Sequence, residues 1–141
     1  MSATKQKEVQ KRKARGEKRV KLTGEVFTPI DLCVKMVKEI PIKTLKDPDA
    51  TFLDNSCGDG NFLVALVTVL SKYHDREHVL NNMVYGVDLM PDNVATAKQR
   101  LERLGLKPDM PGWHHVVCAD GLTYDYEFSP PESQSSMVEE F

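Results

Sequence analysis

The sequence predicts an α/β fold built on parallel strands, and three observations carry that prediction. Helical and strand patterns alternate between residues 29 and 120. Each of the three strand patterns ends in an aspartate: Asp54, Asp88 and Asp120. A Gly58-x-Gly60 turn separates the first strand from the helix after it. Such alternation argues for parallel strands joined by right-handed helical crossovers.

Structure should begin near Gly24. Thr28-Pro29-Ile30-Asp31 reads as a helix start, with Thr28 as N-cap and Pro29 at the first helical position, where its missing N–H costs nothing. Ile30, Val34, Val37 and Ile40 follow at helical spacing, and Pro41 ends the run. Thr51 to Asn55 forms a short strand, and Ser56 to Gly60 a turn. From Asn61 to about Tyr73 the chain is nearly all apolar, too long for an ordinary strand, so it reads as a buried helix capped by Asn61. Met83 to Asp88 forms the second strand. Pro91 opens the next helix, with Val94, Ala97, Leu101 and Leu104 on one face and Gly105 at the position of a terminating glycine. His115 to Asp120 forms the third strand.

The chain of 141 residues is sized for one domain. Its 40% hydrophobic and 28% charged residues are ordinary for a globular protein. No apolar run approaches the ~20 residues of a membrane span. The basic N-terminus is followed by no apolar signal core. Three cysteines at irregular spacing (Cys33, Cys57, Cys118) suit a reduced, cytoplasmic protein. The net charge of −2 hides a split: residues 1–21 hold nine Lys/Arg against Glu8 and Glu17, a net of +7, so the remainder carries −9. The expected organisation is a basic arm over 1–21, a folded domain over 22–128 and a loose acidic tail over 129–141. The arm (Lys11, Arg12, Lys13, Arg15, Lys18 and Arg19 at its centre) is either a foot on DNA or a solvated tail. It has no aromatic residue to stack on bases.

In an open α/β sheet, ligands bind in the crevice at the carboxyl ends of the strands, where Asp54, Asp88 and Asp120 stand. Gly58 and Gly60 allow a tight turn and close backbone approach. A dinucleotide fingerprint would want a third glycine at position 63, which is Leu63. It would also want its acidic residue ~20 residues on, whereas Asp88 lies 28 past Gly60. An acidic residue beside the turn suits a positively charged ligand better than a pyrophosphate. S-adenosylmethionine, with an amino group, a sulfonium centre and no phosphate, fits that description.

Gly24-Glu25-Val26-Phe27-Thr28-Pro29 and then Phe52-Leu53-Asp54-Asn55-Ser56-Cys57-Gly58-Asp59-Gly60-Asn61-Phe62-Leu63 resemble the amino-terminal, cofactor-binding half of the adenine-N6 DNA methyltransferases. The similarity is to those whose Phe-Thr-Pro segment precedes the glycine-rich motif, and it runs from about Gly24 to Leu122. It implies a Rossmann-like methyltransferase fold with a truncated parallel sheet, and S-adenosylmethionine as cofactor. It further implies that Phe27 and Thr28 flank the cofactor, and that Asp54, Ser56, Gly58 and Gly60 form the turn around its methionyl part. Asp88 would accept both ribose hydroxyls, with Leu89 against the adenine. Asp120 would take the adenine amino group, with Leu122 over the ring.

The family's catalytic motif is a polar residue followed by Pro-Pro and an aromatic residue, which stacks on the flipped base. This chain offers Ser129-Pro130-Pro131-Glu132, with Glu132 in the aromatic place and no apolar strand before it. Ser129 and Pro130 are the candidates for that motif; a coincidental proline-rich turn is the other reading. Three parallel strands also leave an open edge, which a second subunit or a homo-oligomer would cover.

Two functions follow. One is the cofactor-binding domain of a DNA adenine methyltransferase, incomplete alone, transferring methyl to an exocyclic amine. The other is a non-catalytic binding protein that regulates or inhibits a methylation, restriction or other nucleic-acid enzyme. An enzyme that consumes S-adenosylmethionine itself is a third option.

Other features carry less. His74 and His78 lie four apart, but no third ligand accompanies them, so no metal site is expected. His114-His115 reads as a satisfied surface pair, Cys57 as a packed neutral thiol and Trp113 as a loop anchor.

Overall fold

The computed structural model describes residues 28–129. The basic arm, Phe27, Pro130 and the acidic tail lie outside the described residues.

Helix α1 spans Ile30–Lys38 and buries Cys33 and Val37. Pro29, with φ −59° and ψ 146°, is its cap residue, and no side chain caps the end. The hydroxyl of Thr28 therefore does not have the capping role expected from sequence. Instead the Pro29 carbonyl takes the first helical bond, from the Cys33 N–H. Pro41 ends α1 as expected, but it also starts a short helix α2 (Ile42–Lys46), accepting the N–H groups of Thr44 and Leu45. Five residues carry too little periodicity to announce that helix.

Strand β1 is Phe52–Asp54. Helix α3 follows at Asn61–Leu70, three residues shorter than its apolar run because the chain turns off after Leu70. Its cap is Gly60, at φ 96°, rather than Asn61, which is the first helical residue. Leu63, Leu66, Val67 and Leu70 are wholly or almost wholly buried, each contributing ~1.5–3 kcal/mol. Helix α4 (Arg76–Asn82) is a second element that sequence periodicity misses, because its core contribution is only Val79 and Leu80. Strand β2 is Val84–Asp88, helix α5 Pro91–Glu102, and a 3₁₀ turn over Pro111–His115 leads into β3, Val116–Cys118.

The sheet has the order β1-β2-β3, parallel throughout. Phe52 pairs with Val84, Asp54 with Gly86, and Gly86 with Val116. Since partners in register share a face, Phe52, Asp54, Val84, Gly86, Asp88 and Val116 look toward α3 and α5. The main core lies there. Gly86 lets the centre pack closely: a Cβ would stand 2.8 Å from the end of the Leu63 side chain and 3.3 Å from the Cys57 side chain.

Tyr85 faces the other side, stacked on His115 with centroids 4.4 Å apart and 4.9 Å from Phe128. The segment after β3 returns across this face. It is knit by a Tyr126 hydroxyl bond to the Gly121 carbonyl and by the Phe128 N–H donating to the Tyr124 hydroxyl. His115 is therefore not the satisfied surface residue expected. Its ring is partly buried, Nδ1 has no partner among the described residues, and burial followed by His114 lowers its pKa. Among the described residues no helix is long and apolar enough to cross a membrane.

Candidate functional site

Asp54 and Asp88 end β1 and β2, whereas β3 stops at Cys118, two residues short of the expected Asp120; the three aspartates nonetheless share one local device. An Oδ1 of Asp54 accepts the Ser56 N–H at 3.1 Å, Asp88 the Met90 N–H at 2.9 Å, and Asp120 the Leu122 N–H at 2.9 Å. Each carboxylate thus closes the turn that follows its own strand, as Asp does at i to i+2. Part of the motif is local turn chemistry, whatever ligand comes later.

Asp88 does more. Its Oδ2 accepts the Gly58 N–H at 2.8 Å, and its Oδ1 also accepts Asn93 Nδ2 at 3.2 Å. The Cys57 N–H donates to the Val87 carbonyl at 2.9 Å. The glycine turn after β1 is thereby fastened to the end of β2 through two backbone N–H groups. Asp88 is only 8% exposed. A carboxylate has about four acceptor sites; three are filled, leaving room for one further donor.

The glycines have separate reasons. Gly58 (φ 55°) and Gly60 (φ 96°) lie in the left-handed region that favours glycine. A Cβ on Gly60 would also stand 3.0 Å from Ala97 of α5. Gly121 passes so near the end of β1 that a Cβ would stand 2.9 Å from the Asn55 carbonyl oxygen. The loop after β3 is therefore drawn against the end of β1.

Beside the glycine turn opens a cleft of about 400 Å³. Its wall comes from Thr28, Cys33 and Met36, and its floor from Leu53, Asp54, residues 56–59, Asn61 and Phe62. Among the described residues its lining holds two carboxylates, Asp54 and Asp59, and neither Lys nor Arg. Asp59 pairs with Arg100 of α5 at 3.7 Å. No partner is found among the described residues for the second oxygen of Asp54. Burial, and then nearby Asp88, hold its carboxyl above the usual range, against the pull of the Ser56 N–H. Cys57 is a packed, buried thiol: burial and the charges of Asp88 and Asp54 push its pKa strongly up, the reverse of a reactive cysteine.

Of the sequence-predicted site residues, the cleft gathers Thr28, Asp54, Ser56 and Gly58. Gly60 and Asp88 stand behind it as supports. Leu89 (65% exposed), Asp120 and Leu122 (95% exposed) lie on the open surface at the ends of β2 and β3. Ser129 is partly buried in a segment without strand structure and is not among the cleft residues.

The sequence reading missed Asn61 and Arg100. Asn61 Nδ2 donates to the Thr28 carbonyl at 2.8 Å, and Arg100 Nη1 donates to Asn61 Oδ1 at 2.8 Å and to the Asp59 carbonyl at 3.0 Å. Nothing in the spacing of Arg100 on a polar helix flags this.

The two histidines do not share one helix. His74 lies in the turn after α3 and His78 on α4. Their Nε2 atoms meet the Leu45 and Pro48 carbonyls at 2.7 and 2.8 Å. Trp113 is partly buried in the 3₁₀ turn, with Lys98 Nζ 4.6 Å from its ring centroid.

A parallel sheet of order β1-β2-β3, a glycine turn leading into a helix and a cleft at the carboxyl strand ends together define a Rossmann-like methyltransferase fold, here with a truncated sheet. The N-6 DNA methylase family model matches residues 13–104, most of the chain, and the protein belongs to that family. No curated protein matches the chain. Family membership supports a role in DNA methylation in general terms, and N-6 DNA methylases generally use S-adenosylmethionine.

Proposed function

We propose that this chain is the S-adenosylmethionine-binding domain of an adenine-N6 DNA methyltransferase. The observation that carries the proposal is the charge of the cleft. It is acidic, free of Lys and Arg among the described residues, and built around a half-buried carboxyl, Asp54, with an unfilled oxygen. A phosphate would be repelled there, whereas the α-amino group of a methionyl moiety would relieve the cost of ionising Asp54.

In this reading Asp54 and the turn at Ser56 and Gly58 hold the methionyl end, with Phe27 and Thr28 flanking it. Asp88 uses its one remaining acceptor site for a ribose hydroxyl. Leu89 and Leu122 close on the adenine ring, and Asp120 accepts its amino group. The exposure of both leucines suits a site that gains its apolar contact on binding. When bound, the cofactor supplies an electrophilic methyl group. The chain's own contribution is to bind and orient it.

Of the described residues, β1 pairs with β2 only, and Leu53 on that edge is 50% exposed. A further strand pairing with β1, from a second subunit or another copy, would border the cleft and bring the acceptor base beside it. That makes methyl transfer by this chain dependent on what joins it. Ser129 and Pro130 remain the motif candidates, and the basic arm a DNA contact.

Calorimetric titration with S-adenosylmethionine, beside ATP and NAD, tests the proposal. Micromolar binding of the first, with neither phosphate ligand bound, is the expected result. Preference for a phosphate ligand would overturn it, and absence of any binding would favour the regulatory binding protein.

A further inference from the structure

We infer that Asn61, oriented by Arg100, is a positioning residue that clasps Thr28 and the start of α1 onto the cofactor cleft. The wall of the cleft comes from Thr28 and α1, its floor from the turn before α3. Joining the two is the Asn61 Nδ2 bond to the Thr28 carbonyl at 2.8 Å; the Cys33 thiol reaches the same carbonyl only at 3.7 Å. An amide can present either its oxygen or its nitrogen, and here Arg100 decides. A guanidinium only donates, so the group 2.8 Å from Arg100 Nη1 must be Oδ1, which turns Nδ2 toward Thr28. Arg100 is in turn held by the Asp59 carbonyl at 3.0 Å and by the Asp59 carboxylate, a residue 3% exposed. One relay therefore runs from α5 through the start of α3 to the entrance of α1. It sets the cleft width without needing to touch the ligand.

The inference rests on the cofactor reading above but is testable apart from it. Asn61→Asp keeps an acceptor for Arg100 and replaces the donor facing Thr28 with an oxygen. At pH 7 the full chain carrying Asn61→Asp should bind S-adenosylmethionine at least ~10-fold more weakly than wild type, with its melting temperature nearly unchanged because the Arg100 contact persists. Asn61→Gln, which keeps both an acceptor for Arg100 and a donor for Thr28 on a longer arm, should bring the affinity ratio back toward one. A merely structural role would not produce that recovery. Hydrogen exchange of the ligand-free chain supplies the independent readout. Amides of the first turn of α1 should exchange at least ~5-fold faster in the variant, with α3 and α5 unaffected. If wild type binds no S-adenosylmethionine, the cofactor reading fails while the exchange result still decides the clasp. Equal affinity at pH 7, or unchanged exchange in α1, overturns the clasp. Should Asn61→Asp not fold, Asn61→Ser, which removes both arms of the relay, is read by the same exchange measurement.

Discussion

Asp88 is the residue whose replacement most tightly couples folding to ligand binding. Its carboxylate accepts the backbone N–H groups of Gly58 and Met90 and the side chain of Asn93. Asp88→Asn preserves shape but turns one oxygen into a donor. Whichever way the amide lies, a donor faces a donor. The cheaper orientation places the new NH₂ against the Gly58 N–H, breaking one bond to a charged acceptor, worth ~1.5–3 kcal/mol, and leaving a buried donor unsatisfied. A net cost of about 2–4 kcal/mol is expected, a large share of the ~5–15 kcal/mol that holds a domain folded. At ~4–8 °C per kcal/mol for a domain of this size, the melting temperature should fall by roughly 10–25 °C. Urea titration followed by circular dichroism, with no cofactor present, isolates this effect. Wild-type stability in Asp88→Asn, within ~0.5 kcal/mol, would refute the assignment of Asp88 as the tie between the two turns. It follows that lost ligand binding in an Asp88 variant is evidence for a ribose contact only if the apo protein is shown to be folded.

Asp54→Asn should act in the opposite sense on stability. Burial raises the Asp54 pKa on folding, so the cost of ionising it is absent below pH ~4 and fully present once the pH exceeds the raised folded value. The variant should melt higher than wild type at pH 7, converge with it near pH 3–4, and bind S-adenosylmethionine at least ~10-fold more weakly; paired thermal melts and titrations would check all three. Gly60→Ala combines left-handed strain of ~1–2 kcal/mol with a 3.0 Å approach to Ala97, for a loss of about 2–4 kcal/mol by denaturant titration. Deletion of residues 1–21 removes a net charge of +7. It should weaken DNA binding and flatten its dependence on salt in fluorescence anisotropy. Unchanged binding would assign the arm to solvation.

The elements with strong local signals were legible without coordinates. The apolar run after Asn61, the helix opened by Pro91 and the three strands all announce themselves by period and punctuation, and the glycine turn stands where expected, although β3 stops at Cys118, before Asp120. The short helices at Ile42–Lys46 and Arg76–Asn82 did not, because each offers the core only one or two side chains. Thr28 and Asn61 were misjudged as caps because both residue types favour that position. Here Pro29 and a left-handed Gly60 took it instead, which freed the Asn61 amide for long-range work.

The sequence by itself determined the class of the protein. Strand-end aspartates, a Gly-x-Gly turn and a Phe-Thr-Pro segment are local patterns, and local chemistry needs no third dimension. Only the tertiary structure decided how those parts divide their labour. It made Asp88 a buried tie, left Asp54 facing the cleft with an unfilled oxygen, and spread Leu89 and Leu122 on the open surface. Such roles depend on contacts between residues some 30 to 40 positions apart, as in Asp88 with Gly58 and Arg100 with Asn61. Those separations are fixed by how helices pack on the sheet, a property of the whole chain that no short motif encodes.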